Sequence, residues 1–491
     1  MATRSELSRM SSRDKASATL RSSMRPWYTL PPMSHIDYAE IQALDRAHVI
    51  HPIAELHKQE QCGAQIFVAG RGVELELADG RTVLDGFSGL FNINVGHGRT
   101  EIAEAVAEQM RELAYYPSFW DFGNAPAARL AGRLVELLPA DLGLRHVLFG
   151  TSGSEANETN FRLARLYHAA RGRPEKKRIL SRRWAYHGSS RATGSATGIS
   201  AYHVLADLDP DHLHVAPPYC YRCEFGKVSP GCGMPCAGDL EQTLQREDAG
   251  TVAAFLVEPV MGTGGIVPPP PDYFAEIQEI CRRHDVLLIL DEVITGFGRT
   301  GRWFGMEHWD VRPDLVSFAK GISSGYLPLA ASVISDRVYE TLRDQLPSGL
   351  PLMHGFTYNN HPTCCAAGLA NLDILESEGL VENAHRVGNH LLERLRKSFA
   401  DSPITGEIRG LGMLAAIEIV RDRETKEPFP NVADTHWIAN ACFERGLIVR
   451  ALFQSVALAP PLCASREDVD RMLAVLEDVW PEAQHRFAGR S

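Results

Sequence analysis

Short runs of apolar residues alternate with helical stretches in this chain, and this alternation constrains the fold more than any other feature. The runs lie at 147–149, 252–257, 286–290, 315–318 and 330–334. Apolar runs without polar alternation are typical of strands that are buried on both faces. Stretches with helical character lie between them, at 155–170 and 273–284. The pattern predicts βαβ units, and hence an α/β protein whose mostly parallel sheet is covered by helices.

The chain is too long for one compact core, and the pattern predicts where it divides. The strand–helix alternation falls within residues 96–355 of the 491, which we expect to form a large domain. In residues 356–491 two long helical stretches precede short strands, which predicts a smaller α+β domain. Residues 33–95 are expected to contribute to the smaller domain. Residues 1–32, rich in Arg and Ser, are expected to be a poorly ordered extension.

Charge and apolar content exclude several kinds of partner. The formal net charge of −11 argues against nucleic acid or an anionic membrane, since either would favour a basic surface. No apolar run approaches the roughly 20 residues that a membrane-spanning helix needs. The start of the chain lacks the apolar stretch of a secretory signal, so we expect a cytoplasmic protein. Its arginines and serines leave a mitochondrial transit peptide open, although Glu6 and Asp14 are unusual in one.

Three chemically distinctive segments follow predicted strands, at the carboxyl ends where open α/β sheets bind their ligands. The small-residue turn GTSGSEA, residues 150–156, leads into a helix, and its N–H groups and hydroxyls suit a phosphate. Asp291 could hold a heterocyclic nitrogen protonated. Lys320 ends an apolar strand, where burial lowers the pKa of an amine towards the neutral form that attacks an aldehyde. Taken singly, each feature has an ordinary interpretation as well. The turn could be a helix cap, Asp291 an exposed acid at the end of a strand, and Lys320 a surface lysine.

Several motifs, taken together, resemble class III aminotransferases of pyridoxal-phosphate fold type I, from about residue 40 to the end of the chain. They are TSGSEAN at 151–157, YHG at 186–188, EPV at 258–260, LDEVITGFGRTG at 290–301, FAKG at 318–321 and HGFTY at 354–358. The resemblance implies a two-domain α/β enzyme that uses pyridoxal 5′-phosphate (PLP) to move an amino group from an amine donor to a keto acid. It also implies a homodimer, or a tetramer built from dimers, with shared active sites.

The resemblance implies roles for individual residues around the cofactor. Lys320 would form the internal aldimine and, once released, move the proton in catalysis. Asp291 would contact the pyridine nitrogen, with Val293 and Tyr186 on opposite faces of the ring. The phosphate ligands would be Gly153, Ser154 and, from the partner subunit, Thr357. A supporting acid would be Glu258. His187, which follows the stacking tyrosine, is expected to be structural.

Two departures from neighbouring branches predict the substrates. The ornithine and γ-aminobutyrate branch has a glutamate where this chain has Thr263. The segment around Arg450 resembles the omega-amino acid:pyruvate branch, in which the matching arginine pairs with a carboxylate. Phe91, Phe119 and, from the partner subunit, Phe356 match positions that line the family's substrate site. The resemblance thus implies pyruvate as acceptor, a terminal amine such as β-alanine, taurine or a diamine as donor, ping-pong kinetics, and poor use of 2-oxoglutarate.

A cluster of cysteines in a segment rich in Gly and Pro is not explained by this chemistry. Cys220, Cys223, Cys232 and Cys236 have the spacing C-x2-C-x8-C-x3-C, and two thiolates in each of two tight turns suit a tetrahedral zinc ion. A reduced thiol cluster or a disulfide formed on purification gives the same pattern. We predict no metal, because amino transfer needs none, and retain zinc as the alternative.

Other interpretations of the same residues stay open. Decarboxylases, aminomutases and racemases of this fold keep the lysine, the aspartate and the phosphate turn. A regulator that binds the cofactor without turnover is a second alternative, although Lys320, Asp291 and Tyr186 argue against it. A zinc-dependent interaction protein built on the four cysteines is the third.

Overall fold

The computed structural model describes residues 37–204, 206–430 and 433–488, so the extension predicted at 1–32 lies outside the described residues. The described residues separate into two compact units, those up to residue 68 together with 76–81, and those at 69–75 together with those from residue 82 onwards. In the first unit, helix α1 (Tyr38–His48) begins at Asp37, whose carboxylate accepts the N–H groups of Ala39 and Glu40. Helix α2 (Leu56–Cys62) follows. The domain boundaries expected after residues 95 and 355 stay predictions.

The remaining helices are α3 (Thr100–Leu113), α4 (Ala125–Leu137), α5 (Gly153–Ala170), α6 (Arg191–Ala196), α7 (Pro235–Arg246), α8 (Tyr273–Arg283), α9 (Asp336–Gln345), α10 (Pro362–Ser377), α11 (Leu380–Phe399), α12 (Ala433–Glu444) and α13 (Arg466–Ala488). The strands are β1 (Phe67–Arg71), β2 (Glu74–Leu77), β3 (Thr82–Asp85), β4 (Leu144–Gly150), β5 (Arg178–Arg182), β6 (His212–Val215), β7 (Val252–Val257), β8 (Leu287–Asp291), β9 (Leu315–Phe318), β10 (Ala330–Ser335), β11 (Thr405–Leu411), β12 (Leu414–Ile419), β13 (Leu447–Ile448), β14 (Arg450–Leu452) and β15 (Ser455–Leu458).

A seven-stranded sheet in the order β4-β10-β9-β8-β7-β5-β6 forms the centre of the second unit. Neighbouring strands from β9 to β6 are parallel, whereas β10 is antiparallel to both β9 and β4. The α/β fold predicted from the sequence is therefore confirmed. Strands β5 and β6 did not stand out in the sequence, because their charged and histidine residues interrupt the apolar pattern.

Helices cover both faces of this sheet, as the continuous apolar strands predict. Ile289 of β8 packs in a cluster with Phe161 of α5, whereas the adjacent Leu288 packs on the other face with Phe274 of α8. Successive residues of a strand point to opposite faces, so each needs its own cover. Each such buried side chain contributes about 2 kcal/mol to folding.

The C-terminal part of the second unit contains an antiparallel sheet in the order β11-β12-β15-β14. β13 is separate from it and pairs in parallel with β3, Leu447 opposite Leu84. Throughout the part of the chain that the structure describes, no helix combines the length and apolar character needed to cross a membrane. The cytoplasmic location stays a prediction.

Candidate active site

A cavity of about 370 Å³, within the range of small-molecule sites, lies at the carboxyl edge of the central sheet. Seven of the residues singled out in the sequence line it: Gly153, Ser154, Tyr186, Glu258, Asp291, Val293 and Lys320. They stand at or just after the carboxyl ends of five different strands, β4, β5, β7, β8 and β9, and are brought together because parallel strands present their carboxyl ends at the same edge. The geometry therefore gathers most of the expected cofactor residues in one place.

Lys320 follows β9 and opens the short turn Lys320–Ile322. Its φ angle is 49°, in the left-handed region that residues other than glycine seldom adopt and that recurs at functional sites. Burial lowers the pKa of the Lys320 amine, and the negative charges of Asp291 and Glu258 oppose this effect. Because burial is the larger effect, the site favours a neutral amine that can act as nucleophile or base.

The buried Asp291 carboxylate is held by three neighbours. Its Oδ2 accepts a hydrogen bond from Nδ2 of Asn157 at 2.9 Å and lies 2.8 Å from Nδ1 of His187. Its Oδ1 accepts the N–H of Val293 at 3.1 Å. These contacts fix the orientation of the carboxylate, which suits a partner for a protonated ring nitrogen.

Asn157 was not singled out in the sequence, although it ends the TSGSEAN motif one turn into α5. Its Nδ2 also donates to the carbonyl of His187 at 2.9 Å, and its Oδ1 accepts from the hydroxyl of Ser317 at 2.6 Å. Ser317 lies opposite Asp291 in the β8–β9 register. The available signal was its helical position one turn after Gly153, which places both on the side of the helix that meets the sheet edge.

The N-terminus of α5 faces the same cavity. Ser152 caps the helix, its hydroxyl accepting the N–H of Glu155 at 3.2 Å, and Ser152, Gly153 and Ser154 line the cavity. The free N–H groups and positive end of an 18-residue helix favour an anion at this point. A Cβ at Gly153 would lie 3.0 Å from Cγ2 of Val293, so glycine keeps this corner open.

One aromatic side chain and one buried acid support Tyr186 in the cavity wall. The Tyr186 ring lies 5.3 Å from the ring of Tyr202, a neighbour that the sequence did not indicate. Oε1 of Glu258 accepts the N–H of Tyr186 at 3.3 Å, and Oε2 accepts that of Gly262 at 2.8 Å. Burial raises the pKa of Glu258. Glu258 thus positions the backbone on which Tyr186 stands, besides lining the cavity.

The residues present fit pyridoxal phosphate. The α5 N-terminus offers N–H groups and hydroxyls for the phosphate, the oriented Asp291 offers a negative charge for the ring nitrogen, and Lys320 offers an amine for the aldehyde. Tyr186 and Val293 supply an aromatic and an aliphatic wall.

Arg450 does not line the cavity but lies within electrostatic reach of it. Its exposed side chain stands at the start of β14. Burial raises the pKa of Tyr202, and the positive charge of Arg450 opposes this effect. Since Tyr202 packs against Tyr186, the charge of Arg450 acts on a direct neighbour of the cavity wall.

The three phenylalanines assigned to the substrate site, and Thr357, lie outside this cavity in a single chain. Phe91 is 3% exposed and packs against Phe87, while its neighbours Leu90 and Asn92 line the cavity. Phe119 packs beside Gly355, and Phe356 lines a separate cavity beside α5. Thr357 is exposed, its carbonyl accepting the hydroxyl of Tyr115 at 2.5 Å. Their predicted roles stay predictions.

The four clustered cysteines carry free thiols. Burial raises the pKa of Cys220, with Cys223 and Cys232 adding to the effect, and raises that of Cys236 to about 11. Within residues 37–204, 206–430 and 433–488, no three His, Cys, Asp or Glu side chains converge in a way that could hold a metal ion. The prediction of no metal and its zinc alternative both stay untested.

A family comparison agrees with this geometry. Residues 57–480 match the family described as aminotransferase class-III, so the chain belongs to the class III aminotransferases, which are PLP-dependent enzymes of fold type I. It is therefore a PLP-dependent aminotransferase.

Characterised relatives agree on the class and differ in their substrates. The chain is 43% identical to a diaminobutyrate–2-oxoglutarate transaminase of Halomonas elongata over 84% of its length and 89% of that protein. It is 38% identical to a putrescine–pyruvate aminotransferase of Pseudomonas aeruginosa over 89% of its length and 94% of that protein. The solved structure of an (S)-enantioselective omega-transaminase from Thermomicrobium roseum matches with a TM-score of 0.87 and 43% identity, covering 91% of this chain and 99% of that one.

Proposed function

We propose that this enzyme transfers the amino group of a terminal (omega) amine or omega-amino acid to pyruvate by a ping-pong mechanism, with donor and acceptor occupying one site in turn. The observation that carries the proposal is the placement of Arg450, exposed and in electrostatic reach of Tyr202, whose ring packs on the cavity residue Tyr186. A guanidinium so placed can pair with a substrate carboxylate through two parallel hydrogen bonds and withdraw for an amine that has no carboxylate.

The number of cationic side chains at the cavity favours pyruvate over 2-oxoglutarate as acceptor. Among the described residues that line the cavity, Lys320 is the sole Lys or Arg. Pyruvate has one carboxylate, which Arg450 would serve. 2-Oxoglutarate has two, and the second would be desolvated without a partner, which is costly. The relatives are divided on this point, since one is named for 2-oxoglutarate and another for pyruvate.

The walls of the cavity support a terminal amine as donor. Leu90, Ile294 and Leu327 give apolar surface beside Tyr186, and Thr263 stands where the ornithine and γ-aminobutyrate branch has an acid. Such walls accept an aliphatic or aryl chain that carries an amine at its end. The Pseudomonas relative is named for putrescine, which is a diamine of this kind.

The chain's own residues then divide the work. When bound, PLP supplies the electron sink that lets an amino group pass from donor to keto acid. Lys320, whose amine has a pKa lowered by burial, would hold the cofactor at its aldehyde, and its Nζ would carry a proton away from the donor carbon next to nitrogen. Asp291, oriented by Asn157 and His187, favours the protonated ring nitrogen.

We further propose a homodimer, or a tetramer built from dimers, in which Thr357 and Phe356 of the partner subunit complete each site. Large apolar side chains stand exposed around these residues in the single chain, among them Trp120 at 84% and Tyr358 at 56%. Contiguous exposed apolar surface of this kind marks protein–protein contacts. A shared site would also explain why Thr357 is remote from the cavity of its own chain.

A panel of amines combined with two keto acids tests the proposal. The holoenzyme is mixed with β-alanine, taurine, putrescine or benzylamine, and with pyruvate or 2-oxoglutarate, and the alanine or glutamate formed is measured. We expect alanine to form several times faster than glutamate with at least one terminal amine. Faster formation of glutamate, or α-amino acids as the best donors, would contradict it. Release of CO2, or isomerisation without a keto acid, would favour the other PLP chemistries.

A further inference from the structure

The fully buried guanidinium of Arg299 binds two segments that are distant from it and from each other in sequence. Arg299 stands in the GFGRTG motif, a few residues after Asp291 and Val293. Its Nη2 donates to Oγ of Ser88 at 3.1 Å and to Oδ1 of Asn94 at 2.8 Å. Its Nη1 donates to backbone carbonyls, that of Pro460 at 2.5 Å and that of Ala459 at 3.3 Å. Arg299 thus ties the loop that follows β8 (residues 292–301, the cofactor loop) to residues 88–94 and to residues 459–460.

The partners of Arg299 are also bound to one another. The hydroxyl of Ser88 donates to the carbonyl of Ala459 at 2.6 Å, which closes a triangle with the guanidinium. Nδ2 of Asn94 donates to the carbonyl of Phe297 at 2.8 Å, two residues before Arg299. A planar fork with donors on both sides suits this arrangement, whereas a lysine ammonium would reach fewer of the partners.

The segment that Arg299 holds is strained and forms part of the cavity wall. Ser88 and Phe91 have φ angles of 49° and 61°, unusual for residues other than glycine. Leu90 and Asn92, between and beside them, line the cavity. Strained backbone persists when its surroundings determine it, and it concentrates at functional sites. Without the bonds to Ser88 and Asn94, we expect this wall to relax.

We infer that Arg299 is a positioning residue that fixes the wall formed by Leu90 and Asn92 relative to the cofactor loop, and thereby sets which donors the cavity accepts. The bonds to residues 459–460 extend this hold to the end of β15, the strand that pairs with the Arg450 strand. The inference depends on the proposed function only in that donors occupy this cavity. It applies whichever amine or keto acid is preferred.

The test compares Arg299→Lys and Ser88→Ala with Arg302→Lys as the matched control. Arg302 stands three residues further in the same loop and is exposed. For each holoenzyme, the loss of visible cofactor absorbance after addition of an amine is followed without keto acid. The amines are the two fastest donors of different size among β-alanine, putrescine, L-alanine and benzylamine. The quantity compared is the ratio of their second-order rate constants.

We expect both test variants to keep the cofactor absorbance and to change the donor ratio by roughly tenfold or more, because a small displacement of a wall affects a large donor more than a small one. Arg302→Lys should keep the wild-type ratio. If Arg299→Lys fails to fold, Ser88→Ala decides. An unchanged ratio in Ser88→Ala, or loss of cofactor binding with equal losses for both donors, would overturn the inference. A preference for α-amino acids or 2-oxoglutarate would instead refute the proposed function and leave this comparison intact.

Discussion

Nδ1 of His187 lies 2.8 Å from Oδ2 of Asp291, and both side chains are buried. Nδ2 of Asn157 donates to the same carboxylate oxygen. The contacts fix the rotation of the Asp291 carboxylate, which limits the reorganisation needed to bind a ring nitrogen. The sequence analysis expected a structural role for His187. The geometry assigns it the narrower task of positioning Asp291.

The charge of Asp291 should matter more than its shape. Asp291→Asn keeps the size of the side chain but removes the charge that favours a protonated pyridine, so transamination should fall by about 10²-fold or more while the protein folds. Steady-state alanine formation measures the loss. Asp314 lies just before β9, at the end of the strands opposite to Asp291. Asp314→Asn makes the same substitution there and should retain activity. Wild-type turnover in Asp291→Asn would place the ring partner elsewhere.

Lys320→Ala should bind the cofactor without a covalent bond and lose roughly 10⁴-fold in rate, since one amine is assigned both the attachment and the proton transfer. Reduction with borohydride followed by peptide mass analysis reports the covalent link, and single-turnover kinetics report the rate. Lys397→Ala, at an exposed position of α11, should behave as wild type. Near-normal turnover of Lys320→Ala would refute the assignment.

Arg450→Ala should raise the KM for pyruvate by tenfold or more. This is the effect expected from losing a hydrogen bond to a charged group, which contributes about 1.5–3 kcal/mol. The KM of an amine without a carboxylate, such as benzylamine, should change little, because it has no group that pairs with Arg450. Initial rates over a matrix of both substrates separate the two effects. Arg421→Ala, at an exposed arginine remote from the cavity lining, serves as control. Equal losses for pyruvate and benzylamine would count against the role.

Thr357 is expected to reach the phosphate of the partner subunit, which would link cofactor binding to subunit association. A ligand held only by the dimer stabilises the dimer, so added PLP should lower the concentration at which subunits dissociate. Sedimentation velocity with and without PLP measures this shift, and Thr357→Ala should reduce it. A fully active monomer under assay conditions would rule out the shared site.

Acid should destabilise the protein well before its carboxylates are neutralised. Burial lowers the pKa of His168, His212 and His214 to about 4 each, whereas an unfolded histidine titrates near 6.5. Below pH ~6.5 the unfolded chain binds more protons than the folded one. The free energy of unfolding therefore decreases as the pH is lowered from about 6.5 to about 4. Thermal unfolding between pH 7 and pH 4.5 should show this, with a shallower slope in His168→Gln. A slope equal to that of wild type would contradict the prediction, and exposed His485→Gln is the control.

The local features of this protein were legible in the sequence, because each depends on residues close together in the chain. Apolar runs predicted five of the seven central strands to within three residues of their observed ends, and the run at 315–318 coincides with β9 (Leu315–Phe318). Three features indicated a site by their position at the ends of strands. They are the small-residue turn before α5, Asp291 at the end of β8 and Lys320 just after β9. The family resemblance then implied how the three would be used.

The tertiary structure decided the contacts between segments that are distant in the chain. These contacts depend on the order and register of the strands. Asn157 and His187 meet Asp291 because α5 and the loop after β5 converge on the end of β8, and no local pattern encodes that meeting. The approach of Tyr202 to Tyr186, the burial of Phe91 and the hold of Arg299 on Ser88 have the same origin. The sequence by itself therefore determined which chemical groups stand at the ends of the strands. The packing of segments far apart in the chain determined how those groups are oriented, because hydrogen-bond geometry is set by the three-dimensional placement of both partners.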